Sequence, residues 1–208
     1  KLGGLVLLRG FLVIQGVLLV QGAGTPSCMV TDSTDASAST SGSLRFCLAQ
    51  VASGGIVNFT STITITLGSN LNVDTNCTII GLASAFPKIS GSSSFFVINL
   101  NAEVTFQHID ITKAALNVKG TYNHFDSVTI DSVHAVAVNA PNVVVTIDSS
   151  TIESNGGSGG NNAVDVGSTI GVVLATNTTF SSNLGTAINA ANATVSDCTF
   201  SSNSGTAI

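Results

Sequence analysis

The sequence predicts an all-β protein whose coils stack as a right-handed parallel β-helix, a solenoid, with a short capping helix near its N-terminal end. The main observation is a repeat: the pattern of residues 178–188 recurs at residues 198–208, with a period of 20 residues. A fixed period of roughly 20 to 50 residues is typical of stacked-repeat proteins. Counting back from the repeat aligns five apolar anchor residues at steps of 19, 22, 28 and 20 positions, namely Ile111, Ile130, Ile152, Phe180 and Phe200.

The positions around these anchors alternate as they do in a half-buried strand. An apolar residue stands five positions before each anchor, and a polar residue stands directly before it. This alternation predicts one face in the core and one in solvent. The third position after the last three anchors is Asn155, Asn183 and Asn203. Because Asn tolerates the left-handed backbone conformation, these residues predict a repeated turn, a turn ladder. Coils of about 20 residues built this way favour a parallel β-helix.

The composition bears on the class of function. The chain of 208 residues is 44% hydrophobic but only 8% charged, whereas about 25% is usual in globular domains. Ser, Thr, Asn and Gly must therefore supply most of the polar surface. With a net charge of −5 and six Lys and Arg residues in all, the chain is not expected to bind nucleic acid, because phosphates require a basic patch.

The chain divides into three predicted parts. Residues 1–24 have a basic start, an apolar run and a small-residue end, which favours a signal peptide or apolar leader; short solenoid strands and a membrane anchor are the alternatives. Residues 25–42 are rich in Ser, Thr and Asp and predict a surface loop. Residues 43–208 predict the β-helix, which starts with an amphipathic helix capped by Ser43. Because the chain stops within a repeat, we expect it to be truncated at its C-terminal end.

Several segments resemble known families. The segments S-G-S-L-R-F-C-L-A at 41–49, I-V-N-F at 56–59 and T-I-I-G at 78–81 resemble the N-terminal cap and first coils of secreted pectin-lyase-like β-helix proteins. The pieces F-S-S-N and G-T-A-I are similar to the F-x-x-N and G-G-A-I repeats of the polymorphic outer-membrane protein family, with Thr186 and Thr206 at the second Gly. The resemblance covers residues 41–208 and implies a surface-exposed passenger domain linked to adhesion. It specifies the activity poorly, because β-helices also serve as lyases, hydrolases and fibres.

The chain has four cysteines and four glycosylation motifs. Cys28 and Cys47 flank the predicted loop and helix, which suits a disulfide that pins the cap of a secreted protein. Cys77 and Cys198 are expected to point inward, several coils apart and too distant to pair. In a eukaryotic secreted protein the Asn-x-Ser/Thr motifs would accept glycans, although a chain so rich in Asn, Ser and Thr also produces them by chance. They begin at Asn58, Asn76, Asn177 and Asn192.

Two pairs of acids share columns in adjacent coils. Asp126 and Asp148 stand four positions before their anchors, while Asp131 and Glu153 stand one position after. At about 5 Å, such pairs could bind Ca²⁺ or act as a glycosidase-like acid and base. The favoured alternative is a solvated face with two mildly repulsive pairs, because two carboxylates are few ligands for Ca²⁺. No catalytic residue is predicted: the chain has no Asp-Asp and no Gly-His-Gly motif.

The sequence thus predicts a secreted or cell-surface scaffold with an adhesin-like or structural role. It predicts no catalysis in the residues present and no cofactor other than the calcium considered above. Its expected partners are glycans or cell-surface molecules, and its coils could associate along the solenoid axis into filaments. The alternative is a polysaccharide lyase or hydrolase whose catalytic coils lie in a missing C-terminal part.

Overall fold

The computed structural model describes residues 24–92, 96–156 and 161–208, which form a parallel β-solenoid of about eight turns. This confirms the predicted all-β class and the single short helix near the N-terminal end of the described chain. The predicted leader at residues 1–24 lies outside the described residues, apart from Gly24. Among the residues that the structure describes, no helix has the length and apolarity needed to cross a membrane.

The elements are short and follow one another closely. In chain order they are β1 (Thr25–Val30), α1 (Leu44–Gln50), β2 (Val51–Phe59), β3 (Thr64–Leu67), β4 (Leu71–Val73), β5 (Cys77–Ile80), β6 (Lys88–Gly91), β7 (Phe96–Leu100), β8 (Val104–Gln107), β9 (Asp110–Thr112), β10 (Ala114–Val118), β11 (Tyr122–Asp126), β12 (Thr129–Asp131), β13 (Val138–Asn139), β14 (Val144–Asp148), β15 (Thr151–Glu153), β16 (Val164–Thr176), β17 (Thr179–Ser181), β18 (Ile188–Ser196) and β19 (Thr199–Ser201).

The strands form three columns that the chain visits in turn. Column one contains β1, β2, β5, β8, β11 and β14, followed by the second halves of β16 and β18. Column two contains β3, β6, β9, β12, β15, β17 and β19. Column three contains β4, β7, β10 and β13, followed by the first halves of β16 and β18. Neighbouring strands within each column are parallel, so equivalent residues of successive coils lie next to each other.

The anchor residues lie in column two, in the register that the sequence predicts. Ile111, Ile130, Ile152, Phe180 and Phe200 pair in succession, and the row extends back to Ile89 and Ile65, which the repeat did not reveal. The rings of Phe180 and Phe200 stack with their centroids 5.0 Å apart. Complete burial of such a side chain contributes about 1.5–3 kcal/mol, so one apolar residue per strand stabilises each coil against the next.

The N-terminal cap follows the prediction in part. Helix α1 begins after Ser43, whose Oγ accepts a hydrogen bond from the Phe46 amide at 3.1 Å, and its buried side chains include Leu44 and Cys47. The prediction of a surface loop at residues 25–42 is wrong for the first six residues. Thr25–Val30 forms strand β1, which pairs in parallel with β2. The short run Cys28-Met29-Val30 gave little strand signal, but Val30 is fully buried and Cys28 is bonded to the helix.

Arg45 of α1 connects the cap to the solenoid. Its guanidinium group donates to both carboxylate oxygens of Asp35, at 2.7 and 2.9 Å, and to the carbonyl oxygens of Ser69 and Asn70, each at 2.9 Å. Asp35 also accepts a hydrogen bond from the Gly68 amide at 2.8 Å. The bidentate pair therefore joins the segment before the helix to the corner between β3 and β4.

We expect Arg45→Ala to lower the free energy of unfolding by about 1–3 kcal/mol, because it leaves the carboxylate of Asp35 without its charged partner. The side chain of Asp35 is only 9% exposed, so water compensates poorly. Urea titration with the disulfide intact would measure the loss. The control Arg45→Lys keeps the charge but cannot form the planar fork, so it should lose less. Equal stability of all three proteins would show that the cap does not depend on Arg45.

Candidate functional site

A ladder of amide side chains lines the turn between columns two and three. Asn183 is fully buried, and its Nδ2 donates to the carbonyl oxygen of Ile152 at 3.0 Å and to Asn203 Oδ1 at 2.9 Å. Its Oδ1 accepts from the backbone N and from Nδ2 of Asn155, at 3.1 and 3.2 Å. Asn155 repeats this arrangement one coil earlier, where it accepts from the Val133 amide at 3.0 Å. Asn155 and Asn183 therefore connect their coils inside the protein and offer nothing to a ligand.

The backbone of this turn differs from the expectation. The left-handed residue is the serine before each Asn, namely Ser154, Ser182 and Ser202, with φ values of 54°, 56° and 54°. The three asparagines have no positive φ. The reason for Asn at this position is therefore its side chain, which has both donors and an acceptor, and not its tolerance of left-handed backbone.

Both predicted acid pairs are neighbours across adjacent coils. Asp126 lies opposite Asp148 on column one, and Asp131 lies opposite Glu153 on column two. Asp126 accepts hydrogen bonds from Gln107 and Ser127, at 3.3 and 3.1 Å. In the described part of the chain, the one buried side-chain polar atom without a partner is Asp148 Oδ1.

Calcium binding at these pairs stays a prediction. Within residues 24–92, 96–156 and 161–208, no group of three or more His, Cys, Asp or Glu side chains could hold a metal ion. Ca²⁺ takes six to eight oxygen ligands, and each pair supplies two carboxylates. The geometry of the pairs is that of stacked like charges on an outward face.

The cysteines have three different environments. Cys28 and Cys47 form a disulfide with a Cα–Cα distance of 5.2 Å. Cys77 lies in column one between Gly55 and Val104, where burial raises the pKa of its thiol to about 11. The thiol is therefore protonated and unreactive at neutral pH. Cys198 is partly exposed in the last coil.

The four glycosylation motifs lie along column one or its corners. Asn58 stands in β2, Asn76 directly precedes β5, Asn177 follows β16 and Asn192 stands in β18. Three of these side chains are exposed, and that of Asn58 is half-buried. Their positions on the solvent side are compatible with modification, which stays a prediction.

A second row, of five Asn and one Asp, runs along the outside of column three. Its members occupy paired positions in successive strands, namely Asn72, Asn99, Asn117, Asn139, Asp165 and Asn189. Asn99 donates to Asn72 at 2.8 Å, Asn117 donates to Asn99 at 3.1 Å, and Asn189 donates to Asp165 at 3.0 Å. The sequence reasoning missed this row. Its signal is an Asn or Asp between two apolar residues, once in each coil, as in Leu71-Asn72-Val73.

Column two carries an outward row of hydroxyl groups. Four successive strands begin with threonine, at Thr129, Thr151, Thr179 and Thr199, and the strands β17 and β19 also end with serine. An open groove of about 370 Å³ lies beside the amide row of column three, between the apolar side chains Val97, Ala115 and Val136 and the amides Asn99, Asn117 and Asn139. The outer surface therefore repeats uncharged donors and acceptors along the solenoid axis.

Comparison with protein-family models, curated proteins and solved structures finds no match to this chain. The class of protein that the fold defines is a parallel β-solenoid, with an internal Asn ladder and outward rows of Thr and Asn.

We expect Asn183→Ala to lower the free energy of unfolding by about 2–4 kcal/mol, because it leaves the buried backbone N–H of Asn155 without an acceptor and removes the side-chain hydrogen bonds to the Ile152 carbonyl and to Asn203. Equilibrium unfolding in urea, followed by circular dichroism, would measure the loss. Asn203→Ala is the matched control, since Asn203 occupies the equivalent position but is only half-buried. Its loss should be smaller. Equal losses for the two variants would contradict the argument from burial.

Replacing both Asp126 and Asp148 with Asn should raise the free energy of unfolding by up to about 1 kcal/mol at neutral pH, because it removes like charges that lie opposite each other. Ca²⁺ should not change the melting temperature of either protein. The control Asp197→Asn removes an exposed acid that is not stacked on another acid, so it should change stability less. A calcium-dependent rise in melting temperature that the double variant abolishes would instead demonstrate a calcium site.

Proposed function

We propose that this chain is a non-catalytic scaffold, secreted or on a cell surface, that serves as an adhesin-like or structural element. The observation that supports this function most is the axial repetition of uncharged polar side chains on the outside, namely the Thr row of column two and the four successive amides of column three, Asn72, Asn99, Asn117 and Asn139. A surface of this kind offers hydrogen bonds to glycans or to a partner surface at intervals of about 4.8 Å.

The mechanism of binding is geometric. A single hydrogen bond to a hydroxyl or amide contributes only about 0.5–1.5 kcal/mol net. When the same contact recurs in successive coils, a polymer that is bound to one coil meets the next coil at a high effective concentration. The affinity then comes from the number of weak contacts and not from the strength of any one of them. The stacked backbone holds Asn99 and Asn117 in place, which lowers the entropy lost on binding.

The proposed extracellular location rests on the disulfide and on the predicted leader. A bond between Cys28 and Cys47 suits oxidising compartments and is rare in the cytosol. The finer part of the proposal is a kinship with pectin-lyase-like β-helix proteins and with the repeats of the polymorphic outer-membrane protein family, which would make this solenoid a surface-exposed passenger domain.

A second candidate is a polysaccharide lyase or hydrolase. The observation in its favour is the stacking of Asp126 on Asp148 on the outward face of column one, since paired carboxylates act as acid and base in glycoside hydrolysis. Association of the coils along the solenoid axis is a further proposal, which analytical ultracentrifugation over a range of protein concentrations tests.

The test of the scaffold proposal is a pull-down of the folded protein on insoluble cellulose, chitin, xylan and mannan, with bovine serum albumin as the control protein. We expect retention on at least one polymer, and competition by the soluble polymer at a far lower mass concentration than by its disaccharide. The same mixtures should release no reducing ends and no unsaturated sugar. Retention on none of the polymers, together with no binding to intact cells, would overturn the proposal, and turnover of a polymer would establish the enzyme instead.

A further inference from the structure

The groove on column three has a distinct pattern of hydrogen bonding. Asn99 uses one N–H to reach Asn72 and one lone pair to accept from Asn117. The ladder stops there: Asn117 Oδ1 and the whole Asn139 amide make no side-chain hydrogen bond to any residue that the structure describes, although Asn139 lies directly opposite Asn117. Along one side of the groove the amides are therefore held by hydrogen bonds to one another. At the end of the groove the amide of Asn139 has no such hydrogen bond.

The opposite side of the groove is aliphatic. Val97 and Ala115 lie opposite each other in β7 and β10, and Val136 lies in the segment before β13. All three side chains are partly exposed. An occupant therefore meets a shallow apolar strip and, beside it, a row of donors and acceptors.

The charge of the groove restricts the occupant. None of the nine described lining residues is Asp, Glu, Lys or Arg. Asp165 lies opposite Asn139 in the next strand, but its carboxylate accepts hydrogen bonds from Asn162, Gly167 and Asn189. The groove cannot compensate a charged group that enters it, and the chain as a whole has a net charge of −5, which repels polyanions. The occupant that suits this surface is uncharged.

The shape and the hydrogen bonding favour a sugar polymer over a peptide. A peptide that adds a strand requires an open sheet edge, but the strands that carry Asn99 and Asn117 have hydrogen-bonded neighbours on both sides. Val97, Ala115 and Val136 are partly exposed, so they form an open strip and not an enclosed pocket for a peptide side chain. A pyranose ring has an apolar C–H face, and its hydroxyl groups both donate and accept, as the amides of Asn117 and Asn139 do.

We propose that the column-three groove binds a neutral polysaccharide whose chain runs along the solenoid axis, with its ring faces on Val97, Ala115 and Val136 and its hydroxyl groups on Asn99, Asn117 and Asn139. This inference rests on the proposed scaffold function and locates it at one site. Asn139 completes its hydrogen bonds through the ligand, and the ladder holds Asn99 ready for contact.

The test compares wild type with Asn139→Ala by isothermal titration with cellohexaose, xylohexaose, mannohexaose and chitohexaose, and with hexagalacturonate as the charged probe. Asn189→Ala is the matched control, because Asn189 belongs to the same outward row two strands beyond the groove. We expect at least one neutral hexamer to bind, Asn139→Ala to weaken its binding roughly three- to tenfold, and Asn189→Ala to leave it unchanged. Both variants should keep the wild-type circular dichroism spectrum and melting temperature.

The outcomes separate the two proposals. If a neutral hexamer binds but Asn139→Ala has no effect, or if Asn189→Ala weakens binding equally, the groove is not the site, although the scaffold function stands. Stronger binding of hexagalacturonate, or of an uncharged hexapeptide at this groove, overturns the assignment of a neutral polysaccharide. If no hexamer binds and the insoluble polymers and cells also fail to retain the protein, the scaffold function fails as well.

Discussion

The structure depends on one constraint, which is that every coil must continue the backbone hydrogen bonds of the coil before it at a spacing of about 4.8 Å. In column two this register holds from Ile65 to Phe200, although the coils between these anchors differ in length from 19 to 28 residues. The corners absorb the differences in length. Equivalent residues therefore always face each other, and a side chain that suits one coil must also suit its neighbour.

This constraint explains which residues form rows. Apolar rings satisfy it by stacking, as Phe106 and Phe125 do with their centroids 5.8 Å apart. Amides satisfy it because each Asn can donate to one neighbour and accept from the other, so a buried row of Asn needs no water. Carboxylates do not satisfy it, because two ionised carboxylates have only acceptors. Asp148, whose buried Oδ1 has no partner among the described residues, shows this consequence.

The fold could be predicted because the corner between columns one and two is constant in the last five coils. There the inward residue of column one precedes its anchor by five positions, as Phe125 precedes Ile130. In the first coils the same offset is eight and ten residues, from Val57 to Ile65 and from Ile79 to Ile89. A single repeat length therefore does not align the first coils, and the anchors Ile65 and Ile89 were not predicted.

The outward Asn row could not be found from the anchors for the same reason. The distance from the anchor to the row is seven residues at Asn72, ten at Asn99, six at Asn117 and nine at Asn139. An alignment of the coils on the anchors of column two does not bring these Asn residues into register, because the number of residues in the corner before column three varies. The acid pairs and the inner ladder lie within a few residues of the anchors, so their pairings could be predicted. Strand β1 was missed because its edge position is set by the disulfide and by Val30, not by periodicity.

The low charge of the chain is partly a result of the same constraint, and this affects how function is inferred. A charged position on one coil lies about 5 Å from the same position on the next, so repeated charges of one sign repel, and uncharged Thr and Asn avoid the repulsion. Polar rows alone therefore indicate a solenoid and do not identify a ligand. A position where the side-chain hydrogen bonds between successive members of a row end is more informative. On column three that position is Asn139, whose amide lies at a groove lined by uncharged residues and has no partner among the described residues.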